Sequence, residues 1–307
     1  MIRFFKLIWS GALAALIASV VCAAAAEAPP VVAKIKAHPA IWTVHSPNAT
    51  AYLFGSVHLL PPNIDWHTRV VDAALKSSDV FVFEAPMGAD GQAQTEAFVR
   101  ANGMLPPNRA LPSLLDTRAR KDYRDALGAA HADPSALAHL RPWLAAIVMQ
   151  TSALQASHYS RTGGVDLQLW DYATAQHKKI ETFETIEEQL SLLMPKDEKL
   201  EKEEFEAALK QLKTTSGDVG ALVDAWCDGR ISDVARLMNK GLLSSPGAMK
   251  HLIEDRNARW VKRLDLMLAE PHTYFVTVGA GHLGGPRGLP TLLKAHGYKI
   301  EMSATAG

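Results

Sequence analysis

The spacing of apolar positions changes twice along this chain of 307 residues, and each change marks a structural boundary. From residue 41 to 84 the apolar runs are short. Ile41 to His45 and Ala51 to Val57 flank the turn cluster Ser46-Pro47-Asn48-Ala49, which predicts a hairpin. A helix follows from about His67 to Lys76, with Val70, Val71, Ala74 and Leu75 on one face, and then Val80-Phe81-Val82-Phe83 reads as a short buried strand ending in Glu84. Between about 90 and 250 the period becomes helical, with segments near 113–128, 134–158, 166–177, 185–194, 196–213, 218–228 and 231–240. One strand, Lys179 to Phe183, interrupts them, and Thr185 with Glu188 forms a capping-box pattern behind it. The short-run pattern then returns: a long helix from Gly247 to Glu270, a strand Tyr274 to Val278, a helix at 289–296 and a strand Tyr298 to Met302. These elements predict an α/β (α+β) fold, a mixed central β-sheet core flanked by helices. The core is built from 41–86 and 247–303 and carries a large helical insertion at about 90–246, all in a single domain over 41–303.

The first residues belong to no such pattern. Arg3 and Lys6, the apolar run Leu7 to Val21 and Ala24-Ala25-Ala26 match a secretory signal peptide over 1–26, which predicts an exported protein, periplasmic or secreted. Cys22 is a poor lipid-anchor site because Ser19-Val20-Val21 does not match the small residues that precede such a cysteine. Residues 27–40, with Pro29, Pro30 and Pro39, read as a flexible lead-in that packs little. No later apolar stretch approaches the ~20 residues of a membrane span. Without the signal the chain holds 30 basic and 32 acidic residues, a balance that gives nucleic acid no electrostatic footing. Cys227 is then the last cysteine, so the mature chain has neither an internal disulfide nor a cysteine metal cluster.

Chemistry concentrates where strands stop. Gly55-Ser56-Val57-His58 and Gly279-Ala280-Gly281-His282 each place Gly-x-x-His at the mouth of an apolar strand, whereas Gly128-Ala129-Ala130-His131 ends a helix and reads as chance. Gly55, Gly279 and Gly281 are expected to serve as the backbone turns. The order strand, Gly-x-x-His, loop, helix, strand occurs in 51–84 and again in 274–302, which suggests an internal repeat with Glu84 and Glu301 in comparable places. If the strands are neighbours, His58, Glu84 and His282 gather at one rim, where open α/β sheets place ligands. Two imidazoles and a carboxylate suit a catalytic metal with an open position for water. The same residues also suit metal-free chemistry, with one His as general base oriented by Glu84 and the other polarising the substrate. Arg256 and Asn257 lie one helix earlier, and Arg256 is a candidate to steady an oxyanion. Asp166 reads as a helix N-cap after Gly163-Gly164, the latter as a flexible cleft edge, and Arg141 opens a helix; Asn257, Asp166 and Arg141 are the candidate substrate contacts. One of Glu184, Glu187 and Glu188 could line the site.

Six segments in sequence, Leu53 to His58, Val82-Phe83-Glu84, Gly164-Val165-Asp166, Glu184-Thr185 with Glu188-Gln189, Arg256 to Trp260, and Val278 to Leu283, resemble the TraB/GumN family. The resemblance spans about 40 to 301. It implies kinship with the Tiki metalloproteases and the erythromycin esterase and ChaN-like superfamily, with His58, Glu84 and His282 as a site for a divalent metal ion of the Mn, Co or Zn type and Arg256 in support. It also implies that members include non-proteolytic inhibitors of peptide signalling and cofactor-binding proteins. The expectation is therefore an exported hydrolase, a divalent-metal-dependent peptidase acting on a peptide or small-molecule substrate. The alternatives are a metal-independent ester or amide hydrolase, or a protein that binds a peptide or cofactor without chemistry.

Overall fold

The computed structural model describes residues 33–242 and 247–303. The expected signal peptide and Cys22 lie outside the described residues. Eight strands occur among those described: β1 Ile35–Lys36, β2 Ile41–His45, β3 Thr50–Ser56, β4 Ile64–Asp65, β5 Val80–Phe83, β6 Lys179–Thr182, β7 Thr273–Gly279 and β8 Lys299–Ser303. Six of them form one mixed sheet in the order β6-β5-β7-β3-β2-β8, and β1 pairs with β4 in a small parallel sheet. The hairpin is real: β2 and β3 are antiparallel, with Ile41 opposite Phe54 and His45 opposite Thr50.

The arrangement that matters lies in the middle of the large sheet. β3 and β7 run side by side and parallel, Gly55 opposite Val278 and Ser56 opposite Gly279. β5 is parallel to β7 on its other side, and β6 is parallel to β5. Four carboxyl ends therefore face the same way. The two glycine-histidine turns lie on adjacent strands although more than 200 residues separate them, because a parallel pair needs a crossover and this chain makes that crossover through its entire helical segment.

Strict alternation gives the sheet two different faces. Phe54, Phe81, Phe83 and Phe275 pack with Trp66 and Trp226 on one side. Ala51, Leu53, Val80, Val82, Val276 and Val278 pack with Trp260, Leu264, Leu289 and Leu293 on the other. Thr277 follows the same alternation as Phe275, and Ser56 the same as Phe54, so both put a polar group at the rim end of the aromatic face. A separate apolar cluster built on Tyr123, Trp143, Leu144 and Phe205 holds the inserted helices together.

Twelve α-helices surround the sheets among the described residues: α1 Arg69–Ser77, α2 Gly88–Asn102, α3 Thr117–Ala130, α4 Pro134–Leu137, α5 Pro142–Ala156, α6 Val165–Ala175, α7 Ile186–Ser191, α8 Glu198–Gln211, α9 Thr215–Cys227, α10 Ile231–Leu242, α11 Asp255–Met267 and α12 Leu289–Ala295. The helix expected over 134–158 is two, because Pro142 lacks an N–H and starts a new one. The long helix expected from 247 to 270 contains a π-helical turn, Lys250–Glu254, before α11. No helix among the described residues is long and apolar enough to cross a membrane.

Three expectations change. The described part of the lead-in packs: β1 pairs with β4, and Ala37 is buried. The inserted segment is not purely a cap, because its strand β6 forms one edge of the core sheet. The internal repeat does not extend to topology. β5 lies parallel beside β7, while β8 is antiparallel to β2 at the far edge. Glu301 is exposed and bonded to Lys299, unlike the buried Glu84.

Candidate active site at the sheet rim

The four parallel strands each deliver a charged or basic group just beyond their last residue. β5 and β6 continue in register past their ends, since Phe183 N–H bonds to Phe83 O and Glu184 N–H to Glu84 O, and this sets two buried carboxylates side by side. Arg256, buried on the first turn of α11, neutralises them. Its Nη2 lies 2.7 Å from Glu84 Oε2 and 2.8 Å from Glu184 Oε2, and its Nε lies 2.9 Å from Glu184 Oε1. Nη1 donates to Leu252 O at 3.3 Å and to His282 Nε2 at 3.1 Å. The guanidinium also sits 4.6 Å from the ring centre of Trp260, whose indole N–H bonds to Glu184. Burial alone pulls the guanidinium's pKa down, but the two carboxylates outweigh it and hold the pKa above its usual value.

His282 is fully buried and both ring nitrogens are engaged. A guanidinium can only donate, so Nε2 accepts from Arg256 and the proton resides on Nδ1, which donates to Asn257 Oδ1 at 2.6 Å. Asn257 completes the lock by donating to His282 O at 3.0 Å and to Arg287 O at 2.7 Å. Burial, and then the neighbouring Arg256 charge, drive the imidazole pKa well below its ordinary value. A sign follows for stability. Below about pH 6.5 the unfolded chain binds a proton at this residue and the folded chain does not, so the stability present above that pH is lost as pH falls, by up to about 1.4 kcal/mol per unit. Urea unfolding between pH 7.5 and 5 should show this slope. In His282→Gln the slope should shrink by about one proton, and an unchanged slope would contradict the assignment.

His58 has a different partner. Its Nδ1 lies 2.7 Å from Asp166 Oδ2, and both side chains are buried. Asp166 is the second residue of α6 rather than its cap, which is Gly164, and so its carboxylate is available to the imidazole. The pairing depends on Gly163 and Gly164. A Cβ on Gly164 would lie 2.3 Å from His58 O, and one on Gly163 would lie 2.4 Å from Leu60 O. The two glycines therefore let the 160–165 backbone run against 57–60, tied by Leu60–Ser160 bonds and by Val165 N–H to Val57 O, and they are a tight seam rather than a flexible cleft edge. Beside the pair is a cavity of about 20 Å³ walled by Ser56, His58, Phe83, Glu84, Ala85, Met87, Asp166, Gln189 and Thr277. Gln189 donates from Nε2 to Glu84 Oε2 at 3.0 Å, and Gly279 N–H donates to Glu84 Oε1 at 2.7 Å.

The model of the TraB/PrgY/gumN family matches residues 40–302. The chain belongs to the TraB/PrgY/gumN family. Two relatives, each named uncharacterized protein YbaP, come from Shigella flexneri and Escherichia coli strain K12. Each is 25% identical over 265 residues, covering 83% of this chain and 92% of the relative. No solved structure matches.

The family resemblance implies a divalent metal at His58, Glu84 and His282, and the donors can be tested for it. Both oxygens of Glu84 already accept N–H groups, and both nitrogens of His282 are in hydrogen bonds with protein groups. The guanidinium of Arg256 occupies the position between Glu84 and His282 where a cation would bridge them. Among the described residues no group of three His, Cys, Asp or Glu is placed to hold a metal. As arranged, this trio does not fit the ion, although all three residues lie at one rim: Glu84 and His58 wall the same cavity, and His282 Nε2 is 3.8 Å from Glu84 Oε1.

Other candidates move accordingly. Arg256 and Asn257, expected at the oxyanion and the substrate, spend their donors on protein groups and act as positioning residues. Arg141 is not at the rim. It caps α5, pairs with the buried Glu201 at 2.7 Å, and lines a groove among the inserted helices with Met104 and Leu114. Gly55, Gly279 and Gly281 are not left-handed turns, since positive φ occurs at other glycines. Gly55 is required because a Cβ there would come within 2.9 Å of Ala280 Cα. Glu184, which the sequence singled out only as one of three, proves to be the second carboxylate on Arg256. Gln189 and Thr277 were not singled out as site residues; their signal was a polar residue at a position where apolar periodicity calls for burial.

Proposed function

We propose that the chain is an exported hydrolase of ester or amide bonds, acting on a peptide or a small-molecule substrate, with His58 as general base and Asp166 as the group that orients it. The observation that carries this reading is the 2.7 Å contact between His58 Nδ1 and Asp166 Oδ2 at the carboxyl end of the sheet. A carboxylate oxygen 2.7 Å from Nδ1 favours the proton on that nitrogen and leaves Nε2 as the basic position, the arrangement in which imidazole removes a proton from an attacking nucleophile. Glu84, Arg256, Glu184 and His282 form a rigid charged floor behind it, and Gln189 links that floor to the cavity wall. A cavity of about 20 Å³ is too small for a peptide group, so the substrate enters only as lining side chains such as Met87 give way. Export is supported by the basic, apolar and small-residue succession in 1–26. No step runs through a metal, because two of the three expected ligands, Glu84 and His282, are committed to Arg256, Asn257 and Gly279.

The test is incubation of the purified protein with a mixed peptide pool and a chromogenic ester, with and without chelator. Hydrolysis is expected in both conditions, and His58→Ala should lower it by about 10²–10⁴-fold. Loss of activity in chelator would replace the metal-free reading by a metal-dependent one. Peptides and ester all left intact by the parent protein, with binding that still depends on His58, would make it a sequestering protein instead.

A further inference from the structure

Apart from His58, the cavity wall holds three buried side-chain atoms to which no described residue supplies a hydrogen-bond partner: Thr277 Oγ1, Gln189 Oε1 and Asp166 Oδ1. Each belongs to a residue that is nine-tenths or more buried. Leaving such an atom unsatisfied costs about 1–3 kcal/mol, and three around one small space point to a shared occupant. The size limits what that occupant is. About 20 Å³ accommodates roughly one water-sized probe, and a water needs two to four polar partners.

Hydrogen-bond polarity narrows it further. The Glu84 carboxylate accepts from Gln189 Nε2 at 3.0 Å, so the amide is oriented with Oε1 as the remaining acceptor. Asp166 uses Oδ2 on His58, and its Oδ1 is a second acceptor. Thr277 offers a hydroxyl that can donate. The site thus has two acceptors and one donor, the complement of a single water that gives two hydrogen bonds and takes one.

We infer that this cavity retains one ordered water bonded to Thr277 Oγ1, Gln189 Oε1 and Asp166 Oδ1. Thr277 and Gln189 are positioning residues that hold it beside His58 as the attacking nucleophile, a role that rests on the hydrolase reading above. In that role the water turns one O–H from Asp166 Oδ1 to His58 Nε2, that proton passes to Nε2, and the water oxygen forms a bond to the substrate carbonyl carbon. The bond from that carbon to nitrogen or oxygen then breaks, and the leaving amine or alcohol takes the proton from the imidazolium. Sequence contributes directly to the site. Thr277 interrupts the apolar run Tyr274 to Val278 with a hydroxyl on the face otherwise occupied by Phe275, and a β-branched residue keeps the strand while supplying it.

Two measurements on the native full chain decide the matter separately. A high-resolution crystal structure should show density for one water at hydrogen-bond distances from the three atoms, and Thr277→Val, which keeps the shape and removes the hydroxyl, should weaken or lose it. An empty cavity in the native protein overturns the inference. So do contacts of about 2.0–2.5 Å, which would make the occupant a cation. In steady-state kinetics Thr277→Val should lower kcat about 10- to 100-fold with KM unchanged, the expected result of a misplaced nucleophile, and Thr277→Ser should restore most of it. An unchanged kcat in Thr277→Val overturns the positioning role. If the native chain hydrolyses nothing, the hydrolase reading falls, and the water seen or not seen in density still decides the site.

Discussion

Arg256→Met should lower the stability of the protein by about 3–5 kcal/mol in urea unfolding, the range observed when one partner of a buried ion pair is removed. The physical reason is charge. Glu84 and Glu184 are both buried and share this guanidinium, and the other arginine paired with them among the described residues, Arg259, reaches Glu184 only at 3.5 Å from a largely exposed position. Without Arg256 two carboxylates face each other in a medium that solvates them poorly, and His282 Nε2 and Leu252 O lose their donor. Arg256→Lys should recover little, because a single ammonium cannot replace a fork that bonds four groups at once. The decisive control is the triple change Arg256→Met, Glu84→Gln, Glu184→Gln. It removes the uncompensated charge and should regain a substantial part of the loss. A cost below about 1 kcal/mol for Arg256→Met alone would mean the carboxylates are neutral or hydrated, and the charged floor would not exist.

Much of this architecture was legible because it is written in periodicity. Alternating and continuous apolar runs located β2, β3, β5, β7 and β8, and the mouth-of-strand position singled out His58, Glu84 and His282. The strands' lateral order was not legible, because period shows which residues are buried and not which strand lies beside which. That ignorance produced the internal repeat with Glu301, which the edge position of β8 removes. The partner of each histidine was also invisible. Asp166 is 108 positions from His58, and its place at a helix start suggested a cap, a local role that Gly164 fills instead. Arg256 reads in sequence as a cation free to meet substrate. Only the convergence of β5, β6 and β7 shows that two carboxylates and an imidazole use up its donors. The metal expectation failed to fit for the same reason: Glu84 and His282 are good ligands in sequence and poor ones once their lone pairs are occupied.

The second large effect is expected on turnover rather than stability. His58→Ala should reduce kcat on any hydrolysed substrate by about 10²–10⁴, the usual contribution of a general base. Asp166→Asn should approach that loss although it preserves shape, because the amide can donate to His58 Nδ1 and so favour the tautomer that carries its proton on Nε2, where the base must accept one. Both variants should unfold near the parent's midpoint if their main role is chemical, and Asp166→Asn, which creates no cavity, is the stricter case. Residues that act as one unit are not additive. The double variant His58→Ala, Asp166→Asn should therefore be no slower than His58→Ala alone. If the two losses multiplied instead, Asp166 would be acting on substrate or on another group independently of His58, and the 2.7 Å contact between them would be packing rather than mechanism.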